Sequence, residues 1–155
     1  MIRVWRLCQS SHQASAFTGE GARRYGGRWN QKGQNVVYTA ATRSLAALEI
    51  FVHVDTDLIL NNFVAFAVDI PDATVAIEII SCNDLASNWR NIYPPFDSQL
   101  IGGRWIEQCK TAVLAVPSAV IPEENNYLLN PLHPDFAKLV IHPPVPFTFD
   151  LRFWK

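Results

Sequence analysis

Between Gly21 and Glu49 the chain crowds side chains that suit an anionic, ring-bearing small molecule. The run Gly21-Ala22-Arg23-Arg24-Tyr25-Gly26-Gly27-Arg28-Trp29-Asn30 is followed by Val36-Val37-Tyr38 and then by Ser44-Leu45-Ala46-Ala47-Leu48-Glu49. An arginine grips a phosphate or carboxylate through two parallel hydrogen bonds, and glycines let the backbone come close to a ligand. A tyrosine ring stacks on a planar ring, and a glutamate stabilises developing positive charge. Together these are parts for binding and cleaving a nucleotide-like molecule. Charge placement points the same way. Residues 1–43 hold seven cations (Arg3, Arg6, Arg23, Arg24, Arg28, Lys32, Arg43) against Glu20 alone, although the chain as a whole has a net charge of −1. That asymmetry implies a basic site for a small anion with acidic surface elsewhere. It disfavours direct nucleic-acid binding, which goes with an overall basic excess; binding of single strands through Arg23-Arg24-Tyr25 and Arg28-Trp29 is a minor alternative.

Other chemistries find little support. Cys8, Cys82 and Cys109 are far apart and without C-x-x-C spacing, which reads as reduced thiols in a cytoplasmic protein. The histidines His12, His53, His133 and His142 form no metal-ligand pattern, so no metal is expected. Met1 to Arg6 lacks the apolar core of a signal peptide, and no apolar run approaches the ~18 residues of a membrane span. At 155 residues the chain fits one domain over 1–155 with an ordinary buried core. A Ser118-His133-Glu49 hydrolase triad is conceivable, but no G-x-S-x-G elbow accompanies it.

The elements that must position these groups follow from periodicity. Ile2 to Leu7 reads as a strand, residues 8–35 as a long loop of the functional kind, and Asn35 to Ala40 as a second strand. Thr42 or Ser44 caps a helix whose buried stripe is Leu45, Leu48 and Val52, with Glu49 at its edge. A carboxylate there is costly unless it has partners. Strands follow at Phe63–Ile70, Val75–Ile79, Ala112–Val116, stopped by Pro117-Ser118, and Asn126–Asn130, stopped by Pro131. A helix is expected within Gln99–Lys110, its start blurred by Gly102-Gly103, and one or two helical turns at His133–Leu139. Phe147 to Phe153 alternates and predicts a last strand. Asn126 and Asn130 are expected to hold backbone at the Asn-Pro turn, and His53 and His133 to be structural. Strands outnumber helices without alternating with them, so the fold class is α+β.

Five motifs in order, G-R-W-N (27–30), V-V-Y-T-A (36–40), S-L-A-A-L-E (44–49), V-P-S-A (116–119) and N-Y-L-L-N-P-L-H-P-D (126–135), give the chain a resemblance to the RES-domain toxins of bacterial toxin–antitoxin pairs. The resemblance runs over essentially the whole chain. It implies a split, strongly twisted β-core like that of ADP-ribosyltransferases and the diphtheria toxin catalytic domain. It also implies an enzyme that depletes NAD by hydrolysis or phosphorolysis, with NAD as substrate and no cofactor. The implied partner is an antitoxin with an Xre-like helix-turn-helix that blocks the cleft, in an oligomeric complex. Carried over residue by residue, the catalytic group is Glu49, Arg28 and Ser118, and the substrate-binding group is Arg6, Tyr38 and Arg28. The family more often has an acidic residue near Gly103.

For that reaction these residue types make sense. Cleaving the N-glycosidic bond of NAD passes through a ribosyl cation-like state and releases neutral nicotinamide, so no general acid is needed. Glu49 would stabilise the cation, Arg28 and Arg6 would clamp the pyrophosphate or orient an attacking phosphate, and Tyr38 would stack on the nicotinamide. Ser118 would hold Glu49 or the ribose. Two other classes stand beside this one: a mono-ADP-ribosyltransferase acting on a protein, and a non-enzymatic nucleotide-binding or protein-interaction module.

Overall fold

A computed structural model describes residues 1–55, 57 and 62–154. Its strands are β1 (Ile2–Gln9), β2 (Val37–Ala40), β3 (Phe63–Ile70), β4 (Ile77–Ile79), β5 (Val113–Pro117), β6 (Asn125–Leu129), β7 (Val140–Ile141) and β8 (Val145–Phe147). Its helices are α1 (Glu20–Tyr25), α2 (Arg43–Phe51) and α3 (Phe96–Gln108). The strands form one curled sheet in the order β4-β5-β6-β2-β1-β3-β7, with β8 also on β3. All pairings are antiparallel except β4 with β5. The α+β class expected from the sequence is the class observed.

The sheet has a tight half and a loose seam. β1 and β3 are in register from Ile2↔Ile70 to Gln9↔Phe63, whereas β1 and β2 register only at Trp5↔Ala40. Because side chains alternate across a strand, the sheet buries two faces. One carries Val4, Val37, Val68, Val113 and Leu129. The opposite face is covered in two blocks. Leu7, Ala40 and Ala65 take Leu45 and Ala46 of α2, while Leu114, Val116 and Leu128 take Trp29, Trp89 and Trp105. The strip of β2 and β6 between these blocks carries Tyr38, Ala40 and Asn126, since Tyr38 pairs with Leu128 and Ala40 with Asn126.

Four expectations need correction. The helical stripe is not Leu45, Leu48 and Val52. Leu45 and Ala46 are the buried residues of α2, and Val52 lies beyond its end, 54% exposed. Small residues on both sides (Ala46 against Ala40 and Ala65) let the helix sit close, which rotates its buried face by one position. The loop over 8–35 contains a 3-10 turn at Ser10–Ser15 and the short α1, the latter supported by Glu20 paired with Arg23 and Arg24 one turn on. The helix expected from Gln99 starts at Phe96 and runs through Gly102-Gly103 without a break. The last strand is only Val145–Phe147, and Leu151–Trp154 is a 3-10 turn. There the phenylalanines stack edge to face (Phe147 on Phe149 at 5.2 Å, Phe63 on Phe149 at 5.3 Å), and Asp150 accepts from the Arg152 amide, which closes the chain into a turn.

Candidate functional site

The strip between the two core blocks is where the candidate residues meet. Thr42 Oγ1 accepts from the Leu45 amide at 3.0 Å and starts α2, as a capping hydroxyl should. Arg43 lies over the Trp5 ring, 4.2 Å from its centroid, which ties the first turn of α2 to β1. Glu49, near the other end, turns its carboxylate toward the sheet. Its Oε1 accepts from Ser118 Oγ and from Asn126 Nδ2, each at 2.7 Å. Ser118 follows Pro117 at the end of β5 and is fully buried. Its oxygen in turn accepts from the amides of Val120 and Ile121, both at 3.1 Å. Glu49 thus has the partners that a half-buried carboxylate needs, all on one oxygen. Among the described residues, Oε2 receives no hydrogen bond from the protein.

Asn126 corrects the sequence reading. It does not hold the turn backbone; strand register sets it beside Ala40, on the face that α2 covers. Its Nδ2 goes to Glu49, and its Oδ1 is buried without a partner. Asn130 does what was expected, accepting from the Leu132 amide at 3.0 Å.

Arg28 stands at the other side of the strip. Nη1 donates to the Trp89 carbonyl at 2.7 Å and Nη2 to the Asn91 carbonyl at 3.0 Å. Partial burial pulls its pKa below the ordinary value, and the nearby charge of Glu49 pushes back. A guanidinium stays protonated throughout. The loop that carries it is fixed through Tyr38, whose hydroxyl donates to Asn30 Oδ1 at 2.7 Å and accepts from the Trp29 amide at 3.1 Å. Burial pushes this phenol well up, so it remains neutral. The Tyr38 ring packs on the tryptophan block, while the residue keeps partial exposure. Gly27 is required there, because a Cβ would meet Tyr38 Oη at 2.7 Å. From the outside, Gln99 of α3 donates to the Gly27 carbonyl at 3.0 Å.

Arg6 lies at the loose seam. Alternation sets it on the face of Val4 and Cys8, opposite α2, and its Nη1 reaches the Tyr38 carbonyl at 2.9 Å. It bonds an acceptor that the single-pair β1–β2 ladder leaves without a strand partner. Its Nε is buried and unpartnered. The structure therefore groups Glu49, Ser118 and Arg28 around one strip with Tyr38 between them, and Arg6 behind it. His133 accepts from the Asp135 amide through Nδ1 and is spent on its own turn, while the Ser118 hydroxyl proton faces Glu49. Neither serves a hydrolase triad. Among the described residues, no group of three or more histidine, cysteine or acidic side chains could hold a metal, and no helix is long and apolar enough to cross a membrane. Sequence reasoning missed Asn126, Asn30 and Gln99, whose roles depend on strand register and loop path; only the strand alternation of 126–130 held a signal for the first.

One curled sheet, with a carboxylate held at its strip opposite a fixed arginine, makes this a mixed helix-and-strand fold with a candidate cleft at that strip. The chain belongs to the RES-domain family, whose model, described as RES domain, matches residues 3–150. It is 41% identical over 137 residues to the protein named Toxin Res from Photorhabdus laumondii subsp. laumondii, covering 88% of this chain and 86% of that one. It is 36% identical over 134 residues to a Prs ADP-ribosylating toxin from a Sphingobium species, covering 84% and 83% respectively. In fold it is similar to the M. tuberculosis MbcT-MbcA toxin–antitoxin complex, with a TM-score of 0.73 at 17% identity over 94% of this chain and 84% of that one.

Proposed function

We propose that this chain is the toxin of a toxin–antitoxin pair and cleaves the nicotinamide–ribose bond of NAD, by hydrolysis or by phosphorolysis. The observation that carries the reading is Glu49, anchored through one oxygen by Ser118 and Asn126 and left with the other unbonded. A carboxylate fixed this way needs no reorganisation to face a ribosyl cation. Nicotinamide leaves neutral, so the reaction needs no general acid beside Glu49. Asn126 Oδ1, buried without a protein partner on the face that α2 covers, would be satisfied by a ribose hydroxyl, whereas Arg6, behind the sheet, supports the site through the Tyr38 carbonyl. Tyr38 would carry the nicotinamide ring, and Arg28 the anionic part of the dinucleotide. NAD enters as substrate and no cofactor is called for.

The partner is an antitoxin with an Xre-like helix-turn-helix that masks the cleft in the cytoplasm, in an oligomeric complex without direct nucleic-acid contact by this chain. Ile92, Tyr93 and Phe96, exposed at 88%, 85% and 60%, lie just beyond the carbonyls that hold Arg28 and give such a partner an apolar foothold. The Sphingobium relative's name favours one second reading, transfer of ADP-ribose to a protein. Incubating the purified chain with NAD, with and without phosphate, separates these. Nicotinamide and ADP-ribose mean hydrolysis, ADP-ribose-1″-phosphate formed only with phosphate means phosphorolysis, and NAD left intact without an added protein favours transfer. Glu49→Gln is expected to lower NAD loss by ~10²–10³ while staying folded; wild-type turnover by that variant sinks the assignment.

A further inference from the structure

Arg90 occupies a position that nothing above explains. The two carbonyls that hold Arg28 belong to Trp89 and Asn91, the residues on either side of it. Arg28 therefore straddles the peptide from which Arg90 projects. The Arg90 side chain turns toward the other half of the site, where its Nε donates to the Ala119 carbonyl at 2.9 Å. Ala119 adjoins Ser118, which holds Glu49. A path of hydrogen bonds joined by two short stretches of backbone thus links Arg28 through Arg90 to the Glu49 carboxylate.

Two guanidiniums are fixed near each other on this path, and only neutral carbonyls fix them. Among the described residues neither forms an ion pair. At Arg28 the charge of Glu49 favours protonation, and the nearby Arg90 opposes it more weakly. Carbonyl oxygens orient a cation without cancelling its charge, so both guanidiniums keep theirs for an anion. Arg90 is exposed, and its Nη1 and Nη2 have no protein acceptor among the described residues. This forked pair of donors matches two oxygens of one phosphate.

We infer that Arg90 is a ligand-binding residue which, with Arg28, forms a subsite for a phosphate group beside Glu49. The inference rests on the reading of this cleft as a dinucleotide-cleaving site. The phosphate comes either from the pyrophosphate of the dinucleotide or from free inorganic phosphate, the acceptor of a phosphorolytic reaction. The plain alternative is a strut, with Arg90 doing nothing but hold residues 89–91 against Ala119.

Calorimetric titration of the full chain with ADP and, separately, with inorganic phosphate tests this. Arg90→Gln is expected to weaken one of the two by roughly 10-fold or more, the loss of a charge-assisted pair. Arg90→Lys, which keeps the charge but not the fork, is expected to fall between Arg90→Gln and wild type. Loss with ADP assigns the subsite to the dinucleotide, and loss with phosphate alone assigns it to the acceptor. A strut predicts instead that Lys and Gln are equally impaired. That result, unchanged affinity for both anions in Arg90→Gln, or no binding of either by wild type overturns the inference. NAD turnover is read separately: Arg90-dependent anion binding in a chain that leaves NAD intact sinks the cleavage reading and keeps the subsite.

Discussion

A hydroxyl has one hydrogen and two lone pairs, and Ser118 uses all three, giving its proton to Glu49 and accepting from the Val120 and Ile121 amides. Nothing remains for it to attack a substrate, so in the proposed reaction Ser118 positions Glu49, as does Asn126. The two differ in what else they hold, and that makes their variants distinguishable. Asn126→Ala removes one donor from Glu49 and leaves no backbone group stranded, so kcat for NAD should fall by ~10- to 100-fold with KM little changed. Ser118→Ala should lose as much and also be less stable by about 1–3 kcal/mol, because two buried amides lose their acceptor. The double variant should cost less than the two losses combined, since both donors act on the same oxygen. Steady-state kinetics with urea unfolding of each variant checks this, and a wild-type kcat in Asn126→Ala removes its positioning role. That Ser118 would hold Glu49 was legible in the sequence, because the residue types and their motif order carry meaning even without coordinates. Asn126 was not, because its segment offers two asparagines and only the register Ala40↔Asn126 says which one faces α2. The grip of Arg28 was not legible either, because its acceptors are main-chain carbonyls more than sixty residues away, and a carbonyl has no sequence signature.

The element that sets the outer wall of the site is α3, and its two glycines show how. A Cβ on Gly102 would stand 1.8 Å from the Trp29 carbonyl oxygen, within the loop that carries Arg28. The helix can lie this close only because that position has no side chain. Two effects compete in Gly102→Ala. Helix propensity favours alanine by about 1 kcal/mol, whereas overpacking against backbone costs about 1–3 kcal/mol and sometimes more. With no flexible side chain to yield, the steric cost should win, and urea unfolding should show a net destabilisation of ~2 kcal/mol or more. Gly21→Ala is the control. It sits in α1 with nothing within 4 Å of the added carbon, so it should be neutral or stabilising by about 0.4–1 kcal/mol. Equal stability of the two variants would mean that α3 does not need its close approach. The glycine pair also explains why the start of this helix was hard to read. Local propensity argues against helix at Gly102-Gly103, and tertiary packing overrides it. The strands Phe63–Ile70 and Val113–Pro117 were legible for the opposite reason, since the apolar runs Phe63–Val68 and Val113–Val116, buried on both faces, have few alternatives. The C-terminal tail alternates as a strand should, yet aromatic stacking around Phe149 takes it elsewhere.

At the scale of the molecule, the positive excess of the first 43 residues is smaller in space than along the chain. Arg23 and Arg24 pair with Glu20, and Arg3 pairs with Asp69; what remains at the cleft from this stretch is mainly Arg28, with Arg6 buried behind the sheet. The Arg3–Asp69 pair has a second consequence, for stability against acid. Asp69 on β3 accepts from Arg3 Nε at 2.7 Å and Nη2 at 2.8 Å, and its Oδ2 lies 2.7 Å from His142 Nε2. One carboxylate thus joins the first strand, the third strand and the segment just after β7. The hydrogen bonds from Arg3 and then from His142 hold its pKa well below the usual carboxylate range. Glu20 is depressed as well, to about 2, but its partners are one turn away, so little of the fold hangs on that pair. For Asp69 the native state binds fewer protons than the unfolded chain over the acid range. Its contribution is therefore fully present above the unfolded value of about 3.9 and disappears as pH falls from there through the lower native value. Asp69→Asn cannot make that contribution at any pH. The variant should be less stable than wild type at pH 7, and the gap should close progressively below about pH 4. Urea unfolding at pH 7, 4 and 3 measures the gap directly. A constant gap across those pH values would mean that packing around residue 69, rather than its charge, ties the two ends of the chain to the sheet.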